Sequence, residues 1–196
     1  MAVYTKISKK DISYINRKFD IEKILEFKGI KQGIENTNYL LKSKNKKFIL
    51  TIFEKRVSKK ELPFFMNLMD KLNKSKINCP KPQTKKDGGY LINLKNKAAC
   101  IVSFLNGKDK KSLNFKNCYD IGKMIAEMHQ STKKINLTRK NSMGVRNLNP
   151  LLKSIRFKSK KFTNVEKFLK NNFKDIKTKW PKNLPNGVIH GDLFID

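Results

Sequence analysis

The stretch GVIHGDLFID, residues 187–196, sets His190, Gly191 and Asp192 directly behind two apolar residues. A short apolar run of this kind predicts a buried strand that delivers a His and an Asp to its exposed end. The chemistry open to an Asp there is to accept the proton of a substrate hydroxyl; the triplet alone is equally the composition of a plain turn. His129 and His190 are the only histidines. No GxxxxGK[ST], GxGxxG, GxSxG or HExxH pattern occurs, so the common nucleotide-fold, serine-hydrolase and zinc-protease readings lack their anchor residues. Cys79, Cys100 and Cys118 are odd in number and far apart, without CxxC spacing, and suggest neither a disulfide framework nor a zinc site.

The elements that must position this stretch are legible from periodicity. Ser8 with Asp11 three residues on resembles a capping box, and Ile12, Ile15 and Phe19 lie on one helical face, predicting a helix over residues 8–19. From Ile24, ILEFKGI, YLLKS and KFILTIFEKR read as three strands of an antiparallel meander joined by KQGIENTN and a polar turn. KKELPFFMNLMDKLNKSKI has helical spacing, with Pro63 tolerable in the first turn. After the KDGG turn signal, YLINL, the turn KNK and AACIVSFL form a second hairpin. The expected lobes are residues 1–106, five strands with one inserted helix, and residues 107–196, helical up to VIHGDLF. CYDIGKMIAEMHQ and NVEKFLKNNFKDI are the clearest helices of the second.

The 196 residues can bury a real core, and 10% aromatic content excludes a disordered composition. The net charge of +29 comes mostly from Lys, scattered as pairs and mixed with Asn rather than gathered into an Arg-rich cluster. That pattern is a solvated basic surface, which attracts anions including nucleotides, and no specific nucleic-acid function is expected of it. No apolar run approaches the ~18 residues of a membrane span, and the start lacks an apolar targeting segment, so a cytoplasmic protein without a membrane partner is expected.

An Asp set after an apolar strand, behind a sheet lobe, a linker and helices, matches the kinase order of parts. FKGIKQGIENTNYLL, FILTIFEKR, ELPFFMNLM, AACIVSFLNG, IGKMIAEMH and GVIHGDLFID, in that order, resemble the homoserine kinase family of the aminoglycoside phosphotransferase and choline kinase-like superfamily. The resemblance covers nearly the whole chain. It implies a bilobal, protein-kinase-like α+β fold, with an antiparallel sheet lobe carrying one covering helix and an incomplete, mainly α second lobe. It implies ATP and Mg²⁺ as cofactors, homoserine as small-molecule substrate and O-phosphohomoserine, on the route to threonine, as product.

Residue by residue, the resemblance implies that Asp192 is catalytic, orienting and deprotonating the attacking hydroxyl, and that His190 supports its loop. Gly29, Gly33, Glu35, Asn36 and Asn38 fall in the connection that covers the phosphates; read alone, that connection is also an ordinary Gly- and Asn-rich hairpin turn. The backbone of Ser103, Phe104 and Leu105 stands at the hinge, where adenine bonds. His129 is read as a buried or capping residue. Glu61 stands where kinases place the acid that pairs with a strand lysine, and also where a solvated first-turn acid sits.

Two departures follow. Thr51 occupies the usual strand-lysine position, leaving Lys55 or Arg56 to reach the phosphates. The metal-binding Asn of the motif would be residue 197, beyond Asp196, so no metal ligand is expected within the chain. The expectation is therefore a C-terminally truncated kinase with little or no activity. Its alternatives are a superfamily kinase for choline, ethanolamine, methylthioribose or an aminoglycoside, and a basic nucleic-acid-binding module.

Overall fold

Ser8 opens the first helix by satisfying its orphan amides. In the computed structural model, which describes residues 3–54, 58–108, 110–142, 144–155 and 163–195, the Asp11 N–H donates to Ser8 Oγ (3.4 Å) and the Ser8 N–H to Asp11 Oδ2 (2.8 Å). This is the expected capping box with the shorter acid. Helix α1 (Lys9–Lys18) buries Ile12 and Ile15; Phe19, expected inside it, is the C-cap and is fully buried.

Strands β1 (Glu26–Gly29), β2 (Thr37–Lys42), β3 (Lys47–Ile52), β4 (Leu91–Leu94) and β5 (Lys97–Ser103) form one antiparallel sheet in the order β1-β2-β3-β5-β4. Side chains alternate across a strand, so pairing partners share a face. Tyr39 pairs with Leu50, Leu41 with Phe48, Leu50 with Ile101 and Ile52 with Ala99. These residues form one buried cluster with Ile12, Ile15, Phe19 and Ile24, so this face is the one α1 covers. Burying each large side chain contributes about 1.5–3 kcal/mol.

The opposite face carries Asn38 and Leu40 of β2, Ile49 and Thr51 of β3, and Cys100 and Val102 of β5. All are half-buried except Cys100, which is buried. Helix α2 (Leu62–Lys74) joins β3 to β4, with Pro63 in its first turn as expected, and buries Leu62, Met66 and Leu72. Asn73 Nδ2 closes its end by donating to the carbonyls of Met69 (2.8 Å), Cys79 (3.2 Å) and Pro80 (3.3 Å). The chain then runs beside β5 beyond the end of β4, bridging Pro82 to Val102. The two-residue turn Lys95-Asn96 has both φ positive, at 53° and 61°, the type I′ geometry that suits strand twist.

Residues up to Leu137, together with the stretch from Gly187 onward, form one compact unit; Thr138–Asn186 forms a second. The first holds α3 (Phe115–Lys133), with an Asn114–Asn117 capping box. Sheet and contacts thus divide differently: the sheet ends at Ser103, whereas α3 belongs with the sheet unit. The second holds α4 (Val145–Ser154) and α5 (Thr163–Lys179). α4 is not evident from the sequence because Asn149-Pro150 reads as a break, yet Pro150 lies inside it.

One expectation fails. Residues 187–195 form no strand, and Ile189 and Phe194 are 68% and 82% exposed. A strand needs a ladder for its amides, and no described segment pairs with this one.

Candidate active site

The β1–β2 connection, residues 30–36, is closed at its base by the Ile30 N–H donating to Asn38 O at 2.9 Å. Gly33 holds φ +94°, a left-handed conformation that favours glycine, and a Cβ there would meet only Asn38 Nδ2 at 3.9 Å. Asn38 Oδ1 accepts the Thr51 hydroxyl at 2.8 Å, and Asn36 Oδ1 accepts the Glu54 N–H at 3.4 Å. Glu35 lies in the same connection. At Gly29 a Cβ would meet Val3 Cγ2 at 2.9 Å, on the face α1 covers, so the missing side chain makes room for the N-terminal segment.

At the hinge, two of the three amides are already committed. The Ser103 N–H donates to Lys81 O (2.8 Å) and the Phe104 N–H to Lys47 O (3.2 Å). Ser103 Oγ accepts the Lys81 N–H at 2.9 Å, and Lys47 Nζ lies 5.7 Å from the Phe104 ring centroid. Among the described residues the Leu105 amide has no partner, so of the three it alone leaves its N–H available.

Gly191 takes φ +77° between His190 and Asp192, which turns the Asp192 N–H back onto His190 Nδ1 at 3.3 Å. The His190 ring therefore accepts a bond from the backbone of the residue it was expected to support. Asp192 is exposed, and its carboxylate makes no hydrogen bond or ion pair among the described residues.

Thr51, expected at the strand-lysine position, donates its hydroxyl to Asn38; Lys55 and Arg56 lie outside the described residues. Glu61 is the half-buried N-cap of α2. His129 is half-buried, and its Nε2 meets no hydrogen-bond partner among the described residues. The described residues contain no group of three His, Cys, Asp or Glu able to hold a metal ion. Cys79, Cys100 and Cys118 are free thiols, half-buried, buried and exposed respectively; burial pushes the Cys100 thiol up to about 12.

A polar cluster beside the loop escapes the sequence reading. Thr37 Oγ1 donates to Glu54 Oε1 at 2.6 Å, Thr5 Oγ1 donates to the same oxygen at 2.8 Å, and Lys97 Nζ pairs with Glu54 Oε2. Burial alone would raise the Glu54 carboxyl, but hydrogen bonds from Lys97, Thr37 and Thr5 outweigh it and hold the group below its ordinary range. The signal was present: Glu54 continues the inward alternation Phe48, Leu50, Ile52, and a carboxylate on a core face requires partners.

Residues 26–196 match the phosphotransferase enzyme family. The chain belongs to that family. The homoserine kinase of Rhizobium etli is 36% identical to it over 197 residues, covering 100% of this chain and 61% of that protein. The homoserine kinase of Paramagnetospirillum magneticum is 38% identical, covering 100% of this chain and 60% of its own length. The phosphotransferase chain thus spans about three fifths of these relatives.

Among solved structures, the AMP complex of a spectinomycin phosphotransferase superposes with TM-score 0.60 at 14% identity, over 97% of this chain and 65% of that one. A microcompartment-associated aminopropanol kinase gives 0.57 at 13% identity, over 74% and 48%. At such identities the likeness establishes the fold, an α+β kinase-like architecture with a sheet lobe and part of a helical lobe.

Proposed function

We propose that a chain of the relatives' length transfers the γ-phosphoryl group of ATP to the side-chain hydroxyl of L-homoserine, giving O-phospho-L-homoserine and ADP. The observation that carries the reading is the match to homoserine kinases along 100% of this chain, at 36% and 38% identity. The family membership and the ADP- or AMP-bound structures that share the fold support nucleotide binding. In this reading residues 1–106 hold the nucleotide and residues 107–196 begin the substrate lobe. Such a kinase works in the cytoplasm, where ATP and amino acids are.

The nucleotide fits the residues present. The left-handed Gly33 lets loop amides approach phosphate, Leu105 offers an unpaired hinge amide, and Leu40, Ile49 and Val102 offer an apolar face beside them. Asp192 orients the hydroxyl and takes its proton as the oxygen–phosphorus bond forms and the bond to the β-phosphate oxygen breaks. His190, accepting the Asp192 N–H, holds the loop in shape. The described residues hold no group of three His, Cys, Asp or Glu that could bind Mg²⁺ unaided; when bound with the nucleotide, the ion would neutralise charge on the phosphates. We propose that the 196-residue polypeptide, which spans about three fifths of those relatives, binds nucleotide with little transfer.

A coupled assay of ADP release tests this, with homoserine, choline, aminopropanol and spectinomycin each offered to a protein of the relatives' length. Homoserine-dependent release that falls at least about 10³-fold in Asp192→Asn is expected. Phosphorylation of another acceptor but not homoserine overturns the substrate. Robust homoserine-dependent release by the 196-residue polypeptide overturns its proposed inactivity.

A further inference from the structure

The N-terminal residues touch the β1–β2 connection at both ends and near its tip. Val3 fills the space above Gly29, the last residue of β1, where a Cβ would come within 2.9 Å of it. The Tyr4 hydroxyl donates to Ile34 O at 3.0 Å. The Tyr4 and Thr5 N–H groups both donate to Thr37 Oγ1, at 3.0 and 3.1 Å, and Thr37 is the fully buried first residue of β2. Behind them, Lys97 Nζ donates to Thr5 Oγ1 at 2.7 Å and pairs with Glu54, whose own N–H reaches Asn36 of the connection.

We propose that Tyr4, Thr5 and Thr37, held by the Glu54–Lys97 pair, are positioning residues that fix the shape of the β1–β2 connection. A staple meant only for the sheet has no use for the Tyr4–Ile34 bond. The ladder already holds Gly29 to Tyr39 and Thr37 to Ile52, whereas Ile34 lies beyond both strands and is 83% exposed. A seven-residue connection containing a left-handed glycine has many conformations open to it, and one that presents amides to phosphate gains affinity by being preformed. The bearing on nucleotide affinity rests on the reading above; the clamp itself does not.

Backbone ¹⁵N order parameters of the 196-residue chain, without nucleotide, decide the clamp. Tyr4→Phe and Thr37→Val should drop residues 31–36 from the rigid range near about 0.85 toward about 0.6, with β3 and β5 unchanged, while Thr37→Ser keeps wild-type values. Tyr4→Phe should also weaken ADP binding by about three- to tenfold. Equal order parameters in all four proteins overturn the clamp; a loosened loop that binds ADP as tightly as before overturns its bearing on nucleotide affinity. A wild-type chain that does not bind ADP sinks the nucleotide reading alone, since the order parameters still decide the clamp.

Discussion

Gly29 carries no unusual φ, yet it cannot accept a side chain, because the obstacle is Val3. Gly29→Ala should cost about 1–2 kcal/mol in urea unfolding through overpacking, and Val3→Ala in that background should recover most of it. A Gly29→Ala protein as stable as wild type would contradict the contact. Glu54 supplies a pH dependence. Its folded carboxyl is held below the ordinary value of 4.5, so its contribution is complete above that value and is lost as pH falls through the folded one. Urea midpoints measured from pH 7 to 3 should fall more steeply for wild type than for Glu54→Gln. Capping at Ser8 was readable because both partners lie within four residues; the Glu54–Lys97 pair was not, because a fold must bring together residues 43 apart in sequence.

At the level of elements, the alternating pattern of β2 and β3 and the turn between β4 and β5 were plain in the sequence, because each depends on neighbours one or two positions away. Residues 187–195 were not, because an apolar run becomes a strand only when another segment offers a ladder. The β4–β5 turn offers a direct test. Asn96 sits at the second, left-handed position of a type I′ turn, where glycine is preferred, so Asn96→Gly should be neutral or stabilise by up to about 0.5 kcal/mol by thermal unfolding. Leu50→Ala, at the centre of the sheet and fully buried, should cost about 3 kcal/mol or more. A loss below about 1 kcal/mol would mean that the α1 face is not the principal core.

For the molecule as a whole, the charge of +29 is a field of self-repulsion that exposed lysine–carboxylate pairs on the helices, such as Lys170–Glu166 and Lys179–Asp175, offset only weakly. Salt screens that repulsion within about 8 Å at 0.15 M. Raising NaCl from low to 0.3 M should therefore lift Tm by roughly 2–4 °C. A falling Tm would show that the surface ion pairs outweigh the repulsion. Charge reads directly from composition; what composition could not say is which lysine reaches a carboxylate that is itself largely shielded from water, as the half-buried Lys97 reaches Glu54.

The three free thiols lie at three depths, on α3, after α2 and in the sheet. They make the chain its own stopwatch for opening. An alkylating reagent should consume Cys118 at once, Cys79 at the pace at which the end of α2 loosens, and Cys100 only as often as the sheet comes apart. Mass spectra taken along that reaction would separate fraying from unfolding in a single tube, with no label introduced.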